Sequence, residues 1–197
     1  SIRADKGVVE AIQSKYSIAE LIEELYYQIR ENCVEKVTLI GHSWGAWLVA
    51  IFAEKYPEVV KEIILVGSGP LEDKYVSEID SRRVGNLSGE ELALYKRLIN
   101  NQVTDEDMKK IPAMFEKSDN YCLEDRESHR ADKSDSEMHN LVWSEAAKLW
   151  TEGKLLEVFQ KIDSKIYLIQ GHNDPHPAKG VMIPLQENNV SCEAYVL

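Results

Sequence analysis

Length, charge and cysteine content exclude several classes of protein. The 197 residues suffice for one domain without a disulfide or metal staple. The net charge of −11 argues against nucleic acid and membrane as partners, because both require a basic face. Three widely spaced cysteines, no apolar run of about 18 residues and no signal pattern at the N-terminus favour a cytoplasmic protein.

Helix and strand patterns alternate in the first third of the chain. Residues 1–15 show no periodicity and predict a loop, after which Ser17 and Glu20 form a capping-box pattern. Alternation of helices with short β-branched segments indicates a parallel sheet with crossover connections. The predicted elements are a helix over 17–32, a strand over 36–40, a helix over 46–56 and a strand over 62–66.

The middle of the chain, residues 71–153, contains no strong strand pattern and predicts an all-helical insertion. Helix starts are indicated by capping patterns at Ser88, Thr104 and Ser134. The block holds 12 basic and 19 acidic residues, so its net charge of −7 accounts for most of the total. The polar stretch 124–137 within it predicts an exposed connection.

Strand patterns return after the helical block. Residues 165–170 predict a buried strand, and residues 193–197 predict one more. The predicted fold class is therefore α/β, a parallel sheet with flanking helices and an inserted helical cap. The core would comprise residues 1–70 and 154–197, and the cap the block between them.

One pentapeptide carries a chemical signature. Gly41-His42-Ser43-Trp44-Gly45 fits G-x-S-x-G and lies between a predicted strand and a predicted helix. A nucleophilic serine in this pattern occupies a strained turn, glycines on either side avoid collisions with backbone, and the N–H of Trp44 can stabilise an oxyanion. The alternative is a glycine-punctuated turn of a nucleotide-type fold, although no P-loop lysine follows the strand.

This pentapeptide resembles the nucleophile elbow of the α/β-hydrolase superfamily, and it is most similar to the capped, prolyl aminopeptidase-like branch. Residues 64–70 resemble the end of that family's next strand, after which a helical cap is commonly inserted. Residues 170–175 resemble its later G-x-x-D turn. The resemblance implies an α/β-hydrolase fold and a serine hydrolase with Ser43 as nucleophile and Asp174 as the acid that orients a histidine.

The resemblance leaves the general base outside the sequence. In the family the histidine follows one more strand after the acid, whereas this chain ends at Leu197 within that predicted strand. His42 is expected to point away from Ser43, and His176 is only two residues from Asp174. We therefore expect the chain to be part of a longer hydrolase. A non-catalytic binding protein on a degenerate scaffold is the alternative.

The implied substrate is a small molecule or short peptide with an ester or amide bond, cleaved through an acyl-enzyme. The acidic cap suggests a carboxylate that binds the amino group of an N-terminal proline peptide, while acids that merely solvate helix faces explain the charge as well. No cofactor is implied. His172, Asp174 and His176 are spaced like metal ligands, but Pro175 and Pro177 force an irregular path there.

Four tryptophans fall into two pairs. Trp143 and Trp150 lie at helical spacing with Met138 and are predicted to form cap core. Trp44 and Trp47 flank the predicted nucleophile, and one of them is a candidate for the wall of a substrate pocket.

Overall fold

A parallel sheet forms the centre of the molecule in the computed structural model, which describes residues 7–120 and 136–197. Within these residues the sheet has four strands in the order β1-β2-β3-β4, each parallel to its neighbour. All carboxyl ends therefore lie at one edge of the sheet. The strands are β1 Val37–His42, β2 Val60–Val66, β3 Lys165–Gln170 and β4 Cys192–Val196.

Helices connect the strands and cover the sheet. Every predicted strand is confirmed, as are the helices expected before β1, after β1, at Ser88 and at Thr104. The helices are α1 Ile18–Asn32, α2 Trp44–Lys55, α3 Val76–Asn86, α4 Gly89–Ile99, α5 Asp105–Asp119, α6 Ser136–Thr151, α7 Lys154–Gln160 and α8 Lys179–Glu187, with a 3-10 turn over Asp73–Tyr75.

Three helices, α3, α7 and α8, were not expected from the sequence. None of them has a side-chain hydrogen bond at its N-cap, and α8 contains Pro184 within its length. Among the helices that the sequence did predict, α1 and α5 begin with a side-chain cap, whereas α2 does not. At α5, for example, the hydroxyl of Thr104 accepts from the N–H of Asp107 at 3.2 Å, and the Asp107 carboxylate accepts from the N–H of Thr104 at 3.1 Å.

Some predictions concern residues that the structure does not describe. The Ser134 capping pattern lies outside the described residues, and so does most of the polar stretch 124–137. Cys33 and Cys192 are free thiols, whereas Cys122 also lies outside the described part. No helix in the described ranges combines the length and the apolar character that crossing a bilayer requires.

Two apolar clusters hold the chain together. The larger one joins the sheet to α1, α2, α6, α7 and α8, and includes Ile63, Leu65 and Leu168 from the strands. The smaller one lies among the α3–α5 helices and consists of Leu87, Leu94, Tyr95 and Met114, with partly buried side chains around them.

Helix α6 belongs by its packing to the larger cluster. Its buried Val142 and Ala146 lie there, and the Glu145 carboxylate accepts from the N–H of Ile18 at the start of α1, at 2.8 Å. The residues described between β2 and β3 are thus helical, as expected. Their assignment to a cap spanning 71–153 remains a prediction.

Candidate active site

Ser43 lies on a strained turn directly after β1. Its backbone has φ 55° and ψ −124°, and a positive φ is uncommon for a residue other than glycine. The Ser43 N–H donates to the carbonyl of Val66 at 2.9 Å, and its carbonyl accepts from the N–H of Ala46 at 3.0 Å. Ser43 is partly exposed, and its hydroxyl makes no capping bond to α2. The expected strand–turn–helix context is present.

The two glycines of the motif differ in how tightly they are enclosed. A Cβ on Gly41 would lie 2.2 Å from the carbonyl oxygen of Gly45, so no side chain fits there without moving backbone. A Cβ on Gly45 would meet no atom within 4 Å in the described part of the chain outside its own helix. The expectation that both positions need glycine to avoid collision therefore holds at Gly41 and does not hold at Gly45.

Asp174 lies in the β3–α8 loop (residues 171–178). Its Oδ1 accepts from the N–H of His176 at 2.8 Å and lies 3.0 Å from Nδ1 of the same histidine. Its own N–H donates to the carbonyl of Gly171 at 3.1 Å, which closes a turn. The carboxylate is partly buried, with 21% of the side chain exposed. Oδ1 is thus already bonded within the loop.

The side chains of His42 and Asp174 both approach Gly67, the first residue after β2. Its φ is 53°, and a Cβ there would lie 3.1 Å from Oδ2 of Asp174 and 3.4 Å from Nε2 of His42. The sequence analysis expected His42 to face away from Ser43 and gave it no role. In the structure, the His42 ring and the Asp174 carboxylate both lie within 3.4 Å of the point that a Cβ on Gly67 would occupy. The ends of β1, β2 and β3 therefore gather the motif serine, its neighbouring histidine and the predicted acid at one edge.

Gln170 is a residue of this region that the sequence analysis missed. It is fully buried at the end of β3, its Oε1 accepts from the N–H of Ser68 at 3.1 Å, and its Nε2 donates to the carbonyl of His176 at 2.8 Å. A signal existed in the strand alternation, which puts Gln170 on the same buried face as Ile166 and Leu168. A polar side chain at such a position needs hydrogen-bond partners.

Trp47 connects the first turns of α2 to the helical block. It is buried, donates from Nε1 to the carbonyl of Gly69 at 3.3 Å, and stacks on Trp143 and Trp150 with ring centroids 5.9 Å and 6.2 Å apart. Trp150 and Met138 also pack against the larger cluster. The two α6 tryptophans were expected to form cap core. Trp150 packs against the larger cluster, whereas Trp143 is exposed on one side and stacks on Trp47.

The described residues contain no cluster of side chains arranged to bind a metal ion. His172, Asp174 and His176 do not form a group that could hold a metal ion, and no such group of three or more potential ligands occurs in residues 7–120 and 136–197.

Comparison with known proteins defines the class. Residues 3–176 match the family described as alpha/beta hydrolase fold, and the chain belongs to that family. No curated protein sequence matches the chain.

Three solved structures are similar in fold. VinJ is 13% identical with a TM-score of 0.60, and the match covers 92% of this chain and 64% of VinJ. The proline iminopeptidase of Mycobacterium smegmatis is 15% identical with a TM-score of 0.57, and the match covers 92% of this chain and 64% of that protein. MGS-M2, an alpha/beta hydrolase enzyme from a deep-sea metagenome library, is 17% identical with a TM-score of 0.51, and the match covers 94% of this chain and 65% of that protein. The chain thus spans less than two thirds of each of these proteins. Likeness at such identities shows the fold, and the expected α/β-hydrolase fold is confirmed.

Proposed function

We propose that the complete protein is a serine hydrolase that cleaves an ester or amide bond through an acyl-enzyme on Ser43. The observation that carries this proposal is the strained backbone of Ser43 between β1 and α2. A strained residue persists only where the surrounding structure enforces it, and such residues cluster at active sites. The enclosure of Gly41 and the bond from Ser43 to Val66 provide that enforcement.

The start of α2 supplies the electrostatic part of the proposed reaction. Trp44 is the first residue of α2, and the first N–H groups of a helix have no partner within it. When the Ser43 Oγ attacks a carbonyl carbon, negative charge develops on the carbonyl oxygen. The N–H of Trp44 would donate to that oxygen in the transition state, aided by the positive end of the helix dipole.

Asp174 is the proposed acid of the triad. Its Oδ1 is occupied by His176, so Oδ2 is the oxygen available to orient a general base. The base would take the proton of Ser43 Oγ and deliver it to the leaving group. By that resemblance, we expect the histidine to follow β4. Leu197 accepts from the N–H of His172 at 2.6 Å, so a histidine following Leu197 would enter beside the acid.

The substrate proposed is a small molecule or short peptide held beneath the helices of residues 71–153, acting as a cap. The similarity to a proline iminopeptidase and the net charge of −7 in this block both support an amine-bearing substrate. The discriminating measurement compares kcat/KM for a proline arylamide with that for a neutral ester of similar size. Equal preference would remove the amine site and leave the hydrolase proposal intact.

A serine-directed fluorophosphonate tests the nucleophile in the full-length protein. We expect labelling of the wild type, none of Ser43→Ala, and wild-type labelling of Ser81→Ala, whose hydroxyl bonds within exposed α3. Asp174→Asn should slow ester turnover about 1,000- to 10,000-fold, because a wrongly oriented base cannot deprotonate the serine. Labelling that survives Ser43→Ala would refute the proposal, and an unlabelled wild type would favour the non-catalytic binding protein.

A further inference from the structure

We propose that Arg82 of α3 is a positioning residue that fixes the β3–α8 loop and with it the carboxylate of Asp174. The inference rests on the proposed function, because its catalytic meaning depends on Asp174 acting as the acid. The sequence gives no signal for Arg82, which lies about 90 residues before the loop in the acidic helical block.

Arg82 binds the backbone of the loop directly. Its Nη1 donates to the carbonyl of Asp174 at 2.6 Å and to the carbonyl of His172 at 3.4 Å. A charged guanidinium strengthens hydrogen bonds to such acceptors relative to neutral donors. One side chain therefore ties two peptide groups of the turn that carries the acid to a helix outside the sheet.

The guanidinium is itself held in place by a carboxylate. Nη2 of Arg82 donates to Oε1 of Glu78 at 2.9 Å, one turn earlier on α3, and Oε2 of Glu78 lies 2.6 Å from Nζ of Lys179. The Lys179 ammonium, with a smaller contribution from Arg82, lowers the pKa of Glu78, so this carboxylate is ionised at neutral pH. Lys179 begins α8, so Glu78 and Arg82 together bracket the loop at both ends.

The position of the loop decides where Oδ2 of Asp174 points. Gln170 holds the loop from the sheet side through the carbonyl of His176, and Arg82 holds it from the helical side. Without Arg82 the peptide groups at 172 and 174 lose that anchor and gain freedom to rotate. A displacement of about 1 Å in a catalytic group can lower a rate about 100-fold.

The neighbouring residue provides a matched control. Arg83 lies on the same helix but binds Asp119 of α5, with Nε and Nη2 at 2.9 Å and 2.7 Å from the two carboxylate oxygens. Arg82→Met and Arg83→Met remove the same charge and a similar length of side chain. The first variant frees the loop, whereas the second loosens only the packing of α3 on α5.

Two readouts on the full-length protein test the proposal. In Arg82→Met we expect amide hydrogen exchange in residues 171–176 to rise about tenfold or more, and kcat for an ester to fall about 10- to 100-fold at constant KM. Arg82→Lys and millimolar guanidinium ion added to Arg82→Met should each restore part of the rate. Arg83→Met should lower the unfolding temperature while its loop exchange and kcat stay within about twofold of wild type.

Three results would overturn the inference. Loop exchange that is the same in Arg82→Met as in Arg83→Met would show that Arg82 does not hold the loop. Unchanged kcat, or a loss that neither lysine nor guanidinium ion relieves, would show that its contact does not position the acid. If the proposed function itself is wrong, the fluorophosphonate does not label the wild-type protein. The hydrogen-exchange comparison between Arg82→Met and Arg83→Met still shows in that case whether Arg82 holds the loop.

Discussion

The sheet half and the α3–α5 helices are stabilised by different forces. In the sheet half, buried side chains from three strands and five helices form one apolar cluster, against which partly buried side chains of β4 pack. Several of the buried side chains are fully inaccessible to solvent. The apolar cluster among the α3–α5 helices has four buried members, one of them Tyr95. Around this small cluster lie polar contacts that join the helices, namely Arg83 with Asp119, Arg97 with Asp107, Lys117 with Glu91 and Tyr95 with Asp80.

Because of this difference, the two regions should respond differently to pH. Apolar burial does not depend on protonation, so the strands and the turns after β1 and β2 rest on a framework that is insensitive to pH. The turn after β3 depends in addition on Arg82 and its contact with the Glu78 carboxylate. The contacts among α3–α5 include ionised carboxylates, whose protonation weakens them. Burial and the bond to Asp80 raise the pKa of Tyr95 to about 12, so its hydroxyl stays a hydrogen-bond donor throughout the physiological range. The acidic groups are the ones that respond.

The largest expected effect comes from adding one methyl group to the turn after β1, in the sheet half. Gly41→Ala would place a methyl group 2.2 Å from the carbonyl oxygen of Gly45, and backbone on both sides of Ser43 would have to shift. We expect a loss of more than about 4 kcal/mol in the free energy of unfolding, or failure to fold. Urea unfolding followed by circular dichroism measures it.

Gly45→Ala is the control for that variant. The added methyl group meets no described atom outside the helix, and alanine is favoured over glycine in a helix by about 1 kcal/mol. We expect unchanged or slightly higher stability. A Gly41→Ala protein as stable as Gly45→Ala would show that the turn after β1 is not the tight element that we describe.

The second prediction concerns the tryptophans that join α6 to the sheet half. Trp47→Phe removes a hydrogen bond to the carbonyl of Gly69 and part of a buried ring system, for a loss of about 2 to 4 kcal/mol in unfolding free energy. Trp150 carries a buried Nε1 without a hydrogen-bond partner among the described residues. Trp150→Phe relieves that unpaired donor, and we expect a loss below about 1 kcal/mol.

Denaturant unfolding of Trp47→Phe and Trp150→Phe, measured in parallel, compares their losses in unfolding free energy. Equal losses would mean that the hydrogen bond to Gly69 contributes nothing and that ring volume alone determines the cost. A larger loss in Trp150→Phe than in Trp47→Phe would contradict the account of the stack altogether.

The sequence predicts those parts of the molecule that local rules determine. Hydrophobic runs located all four strands, three of them ended by a glycine, and capping residues located α1, α4 and α5. The G-x-S-x-G spacing located the strained turn at Ser43, because the chain geometry of that turn is itself local. Helices α3, α7 and α8 lack such start signals and depend on tertiary packing.

Contacts between distant segments could not be predicted in this way. Nothing in the sequence around Arg82 indicates that its guanidinium reaches the carbonyl of Asp174, since the two are brought together only when α3 packs beside the β3–α8 loop. The approach of His42 and Asp174 to Gly67 likewise depends on the register in which β1 and β3 pair with β2. Gln170 is the intermediate case, because strand alternation indicates that its side chain is buried but does not indicate its hydrogen-bond partners.

The smallest expected effect concerns the ion pair between Arg97 and Asp107 at the start of α5. The Arg97 guanidinium, together with hydrogen bonds at Thr104, holds the pKa of Asp107 well below its usual range. A carboxyl group with a lowered folded-state pKa contributes stability above its unfolded value, near 3.8, and loses it as the pH falls towards the folded value. Asp107→Asn should lower the transition temperature by a few degrees at pH 7, and this difference from wild type should shrink below about pH 4. Glu106→Gln, in the same helical turn but exposed and paired with Lys110, should change stability by less than about 0.5 kcal/mol. A difference between wild type and Asp107→Asn that stays constant down to pH 3 would mean that the ion pair does not stabilise the α3–α5 helices, and that their small apolar cluster suffices.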